Sequence, residues 1–267
     1  MSIKKILSLL CAAILAFPAV AQGTMEDLTT DFRGRISAGI DKKLVRRLHL
    51  SAGFEARFRD NFTTPGRLSA EVGLSYKFNK YLKANVSYTF IEQWKSSSAA
   101  WYPRHRATVG LTGTLRAGYW SFQLRERFQA TYQSDVTNTF QEPKVPLYLK
   151  SRFKVSYKGF QKVEPYAYAD LRLLMNGANF EAVWNTSLNQ YTSYRFLNYS
   201  NAYFNRYRGA LGAVWKINKK NALDFYLMLD YCYDKNIDTN KAGTTLKSFT
   251  IGQALNTTAG ISYEFSF

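Results

Sequence analysis

The sequence predicts one all-β domain: a single antiparallel up-and-down transmembrane β-barrel of about 12 strands, with 10 as the lower bound. Three observations predict it. Apolar and polar residues alternate with period two in segment after segment. The connections between these segments alternate between short and long. Aromatic residues reach 16% while mean hydropathy stays at −0.30. A soluble core would have to hide that many rings, whereas a barrel spreads them over an outer face and its interfacial girdles.

The chain opens with a pattern expected of a secretory signal over residues 1–21. Lys4 and Lys5 precede an apolar run from Ile6 to Phe17, and Ala19-Val20-Ala21 supplies small residues for cleavage. Cys11 lies inside the run, too early to carry a lipid. The barrel domain is then expected over residues 22–267, with Cys232 as its one cysteine, a packed or lumenal thiol without a disulfide partner. No later apolar run approaches the ~18 residues of a membrane helix.

Eleven segments read as strands. Phe32–Ile40 comes first. In Arg47–Arg59 the residues Leu48, Leu50, Ala52, Phe54, Ala56 and Phe58 share the oily face, and His49, Ser51, Glu55, Arg57 and Arg59 the wet one. Arg67–Phe78, Tyr81–Phe90, Arg104–Leu115, Tyr119–Tyr132, Leu147–Lys158, Val163–Leu174, Tyr203–Ile217, Ala222–Tyr233 and Leu255–Phe267 follow. Glu126 falls on the oily register, which a bulge or a position at the membrane edge would accommodate. Short turns are expected at Asn79-Lys80, Ala117-Gly118, Lys158–Lys162 and Asn218–Asn221. Longer loops are expected at Asp60–Gly66, Lys95–Trp101, Gln133–Pro146, Asn176–Asn198 and Asp234–Lys247. The longest, with Trp184, Tyr191 and Tyr194, is expected to fold over the mouth as a lid; its aromatics also suit glycan or partner binding.

The last strand ends at Phe267, with Ile261, Tyr263 and Phe265 on the same face. An alternating final strand with an aromatic terminus resembles the recognition strand of the bacterial barrel-insertion machinery. Barrels with both ends in the periplasm have an even strand number, so a short extra strand, or a lumenal segment, is expected within Gly23–Thr30. Backbone groups in lipid must all be paired, and no amphipathic helix is available to cover the oily faces, so the sheet is expected to close.

Four stretches carry a family resemblance: Glu55-Ala56-Arg57-Phe58-Arg59-Asp60-Asn61, Gly73-Leu74-Ser75-Tyr76-Lys77-Phe78, Arg104-His105-Arg106 and Leu124-Arg125-Glu126-Arg127-Phe128. They resemble a family of bacterial outer-membrane barrels known only as a domain of unknown function. The resemblance implies fold and location, and no catalytic or binding residue.

The wet face is the distinctive feature. By register it carries Arg57, Arg59, Arg67, Arg104, Arg106, Arg116, Arg125, Arg127, Lys150, Arg152, Lys154, Arg172, Arg206 and Arg208. Glu55, Glu71, Asp170, Asp224 and Asp230 oppose them, with Tyr166, Tyr168 and Tyr226. Rings of arginine and lysine favour anionic passengers, which suggests a narrow pore for small anionic solutes. The alternative is a lumen packed shut by arginine–carboxylate and arginine–tyrosine contacts, leaving a structural or ligand-binding surface barrel.

The net charge is +17, of which Lys4 and Lys5 supply two. An export signal argues against nucleic acid as the partner, leaving outer-membrane lipids, lipopolysaccharide and anionic solutes, with the assembly machinery during insertion. His49-Leu50-Ser51 matches the spacing of barrel lipid hydrolases, and Glu55 shares the face, but the imidazole lies near the turn end and points into the lumen. No enzyme is therefore expected. His105 suits an interfacial ring. No cofactor or metal is expected either: no phosphate-binding glycine loop follows a strand, and Asp224, Asp230, Asp234 and Asp238 are scattered.

Overall fold

A computed structural model describes residues 24–188 and 190–267, all strand, turn and loop. The expected signal, residues 1–21, lies outside the described residues. The strands are β1 (Thr24–Met25), β2 (Thr29–Val45), β3 (Leu48–Arg59), β4 (Thr64–Lys77), β5 (Leu82–Lys95) and β6 (Ala100–Ala117). They continue as β7 (Trp120–Gln133), β8 (Leu147–Tyr157), β9 (Val163–Asn185), β10 (Gln190–Lys216), β11 (Asn221–Thr239) and β12 (Leu246–Ser266). All eleven segments read from the sequence are strands. Their order in space is their order in the chain, and a β12–β2 pairing closes the sheet.

The short strand expected within Gly23–Thr30 is present as β1, which with the eleven long strands makes the expected twelve. β2 and β12 pair in parallel, from Thr29 opposite Ala254 to Asp41 opposite Ser266. β1 lies along the same edge of β12, with Thr24 opposite Thr250. It therefore prolongs β2 beyond a short break and does not add a stave to the ring. Eleven long strands close through one parallel seam, and an odd number is no obstacle because the seam takes the first and last strands in the same direction. Thr24 sits toward the long-loop end and Phe267 at the turn end, where the Phe267 N–H donates to Asp41 O at 3.0 Å.

The alternation has the expected sense. Phe32, Ile36 and Ile40 of β2 are exposed on the outer face, as are Val72 and Leu74 of β4, Val109 and Leu111 of β6, and Phe225, Leu227 and Leu229 of β11. Leu211 of β10 is 69% exposed. A belt this apolar is stable only against lipid or another apolar surface.

Two expectations are corrected. Asn176–Asn198 is no lid: β9 and β10 run on as a paired hairpin, with Tyr191 opposite Trp184 and Phe196 opposite Phe180. β10 is 27 residues long and β8 only 11, so one wall of the barrel stands far above the other. A strand of ~9–11 residues is long enough to cross a bilayer, and β10 is more than twice that length. Glu126 is neither on a bulge nor at an edge. Its pairing is continuous, opposite Leu111 and Ser151 in the middle of β7, and Ser151 Oγ donates to its carboxylate at 2.6 Å.

The cover comes instead from the loop between β7 and β8. Phe140 packs beside a small apolar core of Tyr194, Leu246 and Phe249 on the inner face of the tall wall. A Cβ on Gly243 would lie 2.4 Å from the Phe140 ring, and φ there is +67°, so glycine both makes the turn and admits the ring. Tyr194 OH donates to Phe140 O at 2.6 Å, Asn138 Nδ2 to Thr239 Oγ1 at 3.0 Å, and Gln141 Nε2 to Asp238 Oδ1 at 3.1 Å. These bonds carry the loop inward, from β7 and β8 to β10 and β11.

The candidate anion path through the lumen

Period two turns the basic residues inward, and the antiparallel register then sets them side by side. Across four successive strands Arg127 stands opposite Lys150, Lys150 opposite Arg172, and Arg172 opposite Arg206. The adjacent rung reads Arg125, Arg152, Asp170, Arg208 and Asp230. On the other side of the barrel Arg35, Arg57 and Arg67 form a third rung over β2, β3 and β4.

Carboxylates neutralise part of this. Asp170, whose side chain is 0% exposed, accepts from Arg152 Nε at 2.9 Å and Nη2 at 2.8 Å. Asp230 lies 3.3 Å from Arg206 and 3.1 Å from Arg208. Glu55 accepts from Arg57 at 2.6 Å and stands 3.4 Å from Arg35. Cys232 is lumenal as expected: buried, unpaired, and accepting from Arg206 Nε at 3.2 Å.

One half of the lumen is filled. Tyr166 OH donates to Asp224 at 2.8 Å and Tyr168 OH to Met228 Sδ at 3.3 Å. Lys154 lies 3.6 Å from the Tyr166 ring centre and Arg152 3.9 Å from that of Tyr168. Tyr226 lies over Gly260, where a Cβ would be 2.1 Å from its ring.

Along β2 to β7, with side chains of β8 and β10 to β12 reaching in at the upper levels, the lumen is not filled. Four cavities follow one another from the turn end upward and share walls. The first, about 560 Å³, is lined by Lys77, Lys80, Lys83 and Arg116 and, among the described residues, by no carboxylate. It meets the second, about 270 Å³, at Lys83, Thr112 and Gln123. The second meets the third, about 430 Å³, at Asp41, Ser51, Glu71, Arg125 and Arg127. The third and the fourth, about 250 Å³, share Arg35, Arg57, Arg67 and Arg208, which form the partition between them.

Arg106 and Arg152 line the third cavity, and Arg59 and Arg206 the fourth. Arg172 is held by Asn205 and lies under the Tyr148 ring. Arg104 is engaged elsewhere: its guanidinium grips Asp135 of the cover loop at 3.0 and 2.7 Å, and Lys95 stands 3.6 Å from the same carboxylate. Burial pushes the Asp135 carboxyl up, but hydrogen bonding to Arg104 and its charge outweigh that and hold it below its usual range.

His49 Nδ1 lies 2.8 Å from Asp41 Oδ1, while Ser51 Oγ donates to Gly73 O at 3.3 Å and Glu55 is held by arginines. The three residues of the candidate hydrolase motif are thus each engaged with a different partner. His105 is on the outer face among Tyr88, Phe90 and Tyr132, with Tyr88 OH 2.6 Å from its Nδ1. The tilted rings of Phe265 and Phe267 lie 5.4 Å apart at the turn end of β12, with Lys42 over Phe267; Ile261 and Tyr263 precede them on the same strand. Sequence reasoning missed Arg35 and Asp135. Arg35 falls on the inward register of Phe32–Ile40, a signal that was available; Asp135 carries none, because its partner is set by the loop's path.

No curated protein matches the chain. Among solved structures, an anion-selective porin from Comamonas acidovorans aligns at 12% identity with a TM-score of 0.32, over 79% of this chain and 52% of the porin. The chain thus spans about half the length of that porin. Residues 36–241 match the family described as "Protein of unknown function (DUF2490)", and this β-barrel chain belongs to that family.

Proposed function

We propose that this chain resides in the bacterial outer membrane and passes small anionic solutes along the basic side of its lumen. The observation that carries the reading is the row of four cavities with shared walls, in which cations outnumber carboxylates. The third alone is lined by nine arginines and lysines against four carboxylates. A low-dielectric wall concentrates such a field, so anions are drawn in and cations excluded.

Charge also supports an orientation. Lysine or arginine lies in or beside each of the five turns (Arg46 and Arg47, Lys80, Arg116, Lys158 and Lys162, Lys219 and Lys220), and no carboxylate lies in any of them. Short turns face the periplasm in outer-membrane barrels, where these cations would meet anionic phospholipid headgroups. The exposed belt would contact acyl chains, with lipopolysaccharide around the tall wall. Ile261, Tyr263, Phe265 and Phe267 would serve recognition by the assembly machinery.

The test is conductance in planar bilayers under a KCl gradient. A reversal potential on the chloride side, moving toward zero in Arg125→Gln/Arg127→Gln, is the expected result; cation selectivity would overturn the reading. A second reading, a barrel that holds a ligand without conducting, draws on the filled half of the lumen and the Phe140 loop. Silence in the bilayer, with ligand binding retained, would favour it.

A further inference from the structure

The third cavity has a charge problem that its own side chains do not solve. Arg125, Arg127 and Lys150 line it with no hydrogen-bond or ion-pair partner among the described residues, and the Arg125 Nε is buried without an acceptor. Arg67 and Arg106 also line it and reach only neutral groups, Gln93 Oε1 at 2.9 Å and Thr131 Oγ1 at 3.0 Å.

The nearby carboxylates do not balance these five. Glu55 is held by Arg35 and Arg57, and Asp170 by Arg152. Asp41 pairs with His49 toward the turn end. Glu71 accepts from Thr89 Oγ1 at 3.1 Å. Glu264 also lines the cavity, near the end of β12, and among the described residues no basic group stands within ion-pair distance of it.

Like charges directly opposite on neighbouring strands repel. Arg127 and Lys150 are such a pair, as are Arg125 and Arg152. Long, flexible side chains would swing apart if nothing lay between them. A barrel wall fixes their Cα atoms, and a counter-anion in the cavity would relieve the repulsion.

We propose that the 430 Å³ cavity is a binding site for a small polyanion bearing two or more negative oxygens, of the phosphoryl or polycarboxylate kind. Guanidinium groups present paired donors that match the two oxygens of a phosphate or carboxylate, and they match a halide poorly. Several arginines around one chamber engage several such oxygens at once, so charge number decides affinity. The volume falls in the range of small-molecule sites, ~300–1,000 Å³. The proposal deepens the pore reading and rests on it for the route of entry. It makes the lumen a selective site and not merely a charged tube.

Calorimetric titration of the full-length barrel in neutral detergent, at fixed ionic strength, tests it with pyrophosphate, citrate and acetate. Pyrophosphate and citrate are expected to bind at least about tenfold more tightly than acetate, and Arg125→Gln/Arg127→Gln to remove about tenfold of that affinity. Lys219→Gln/Lys220→Gln, at a distant turn, should leave it unchanged. Pyrophosphate should raise the unfolding temperature of the parent protein but not of the double variant. Equal weak binding of all three anions to the parent protein would overturn the site, whether or not the variants fold.

Bilayer currents separate the two readings. Anion-selective current without pyrophosphate affinity removes the site and leaves the pore. Pyrophosphate affinity without current supports the site and removes the pore.

Discussion

Arg127 and Lys150 face each other directly across β7 and β8, two like charges inside the barrel with no carboxylate among the described residues paired to either. In a protein free to optimise stability one of them would be neutral. Arg127→Gln should therefore stabilise the empty barrel by about 0.5 kcal/mol at low salt while weakening anion selectivity. Thermal unfolding followed at two ionic strengths checks this, and the gain should shrink as salt screens the parent protein.

Asp170 has the opposite role. It is fully enclosed and bound through two bonds by Arg152. Asp170→Asn leaves Arg152 and Arg208 beside a neutral group and should cost about 3 kcal/mol. Denaturant unfolding in detergent measures it; a cost below 1 kcal/mol, on the order of an exposed pair, would show the lumen to be well hydrated there.

The tether between Arg104 and Asp135 should release in acid. Because the Asp135 carboxyl titrates below its unfolded value, the tether contributes fully above that value and is lost as pH falls through the lower folded one. Proteolytic nicking of residues 133–146 should therefore stay slow at pH 6 and rise only below about pH 4. Asp135→Asn should abolish the pH step. A step near neutrality would assign control to another group.

Phe140 seats the cover loop against Tyr194, Leu246 and Phe249. Phe140→Ala should speed amide exchange throughout residues 134–146 and, if the loop restricts the mouth, raise single-channel conductance. The barrel itself should unfold as before, since the ring packs at the long-loop end of the strands, against Tyr194, Leu246 and Phe249. Unchanged exchange would mean that the flanking hydrogen bonds suffice.

Glu126 faces outward in mid-strand with Ser151 as its partner. Glu126→Gln keeps an acceptor for the Ser151 hydroxyl and removes a carboxylate from the apolar belt. Stability should rise by about 1 kcal/mol, read from unfolding in detergent or bilayers.

The eleven strands were legible in the sequence because each buries one face and presents the other, and period two writes that requirement directly into residue order. The inward set was legible for the same reason: Arg57, Arg67, Arg125, Arg127 and Lys150 follow from parity alone. Asn176–Asn198 was misread because its Asn and Ser residues look like loop, while pairing with the opposite strand and the Phe180–Tyr194 contact made it a hairpin. Propensity is local; that decision was made by a partner strand.

Alternation along the chain therefore determined which side chains point inward and that the sheet closes, because a strand's two faces are set by its own residues. Only the tertiary structure decided which inward residues meet. The parallel β2–β12 seam, the unbroken row from Arg127 to Arg206, the filling of one half of the lumen and the descent of the Phe140 loop all depend on register between strands. Register is a relation between distant segments, so no single segment encodes it.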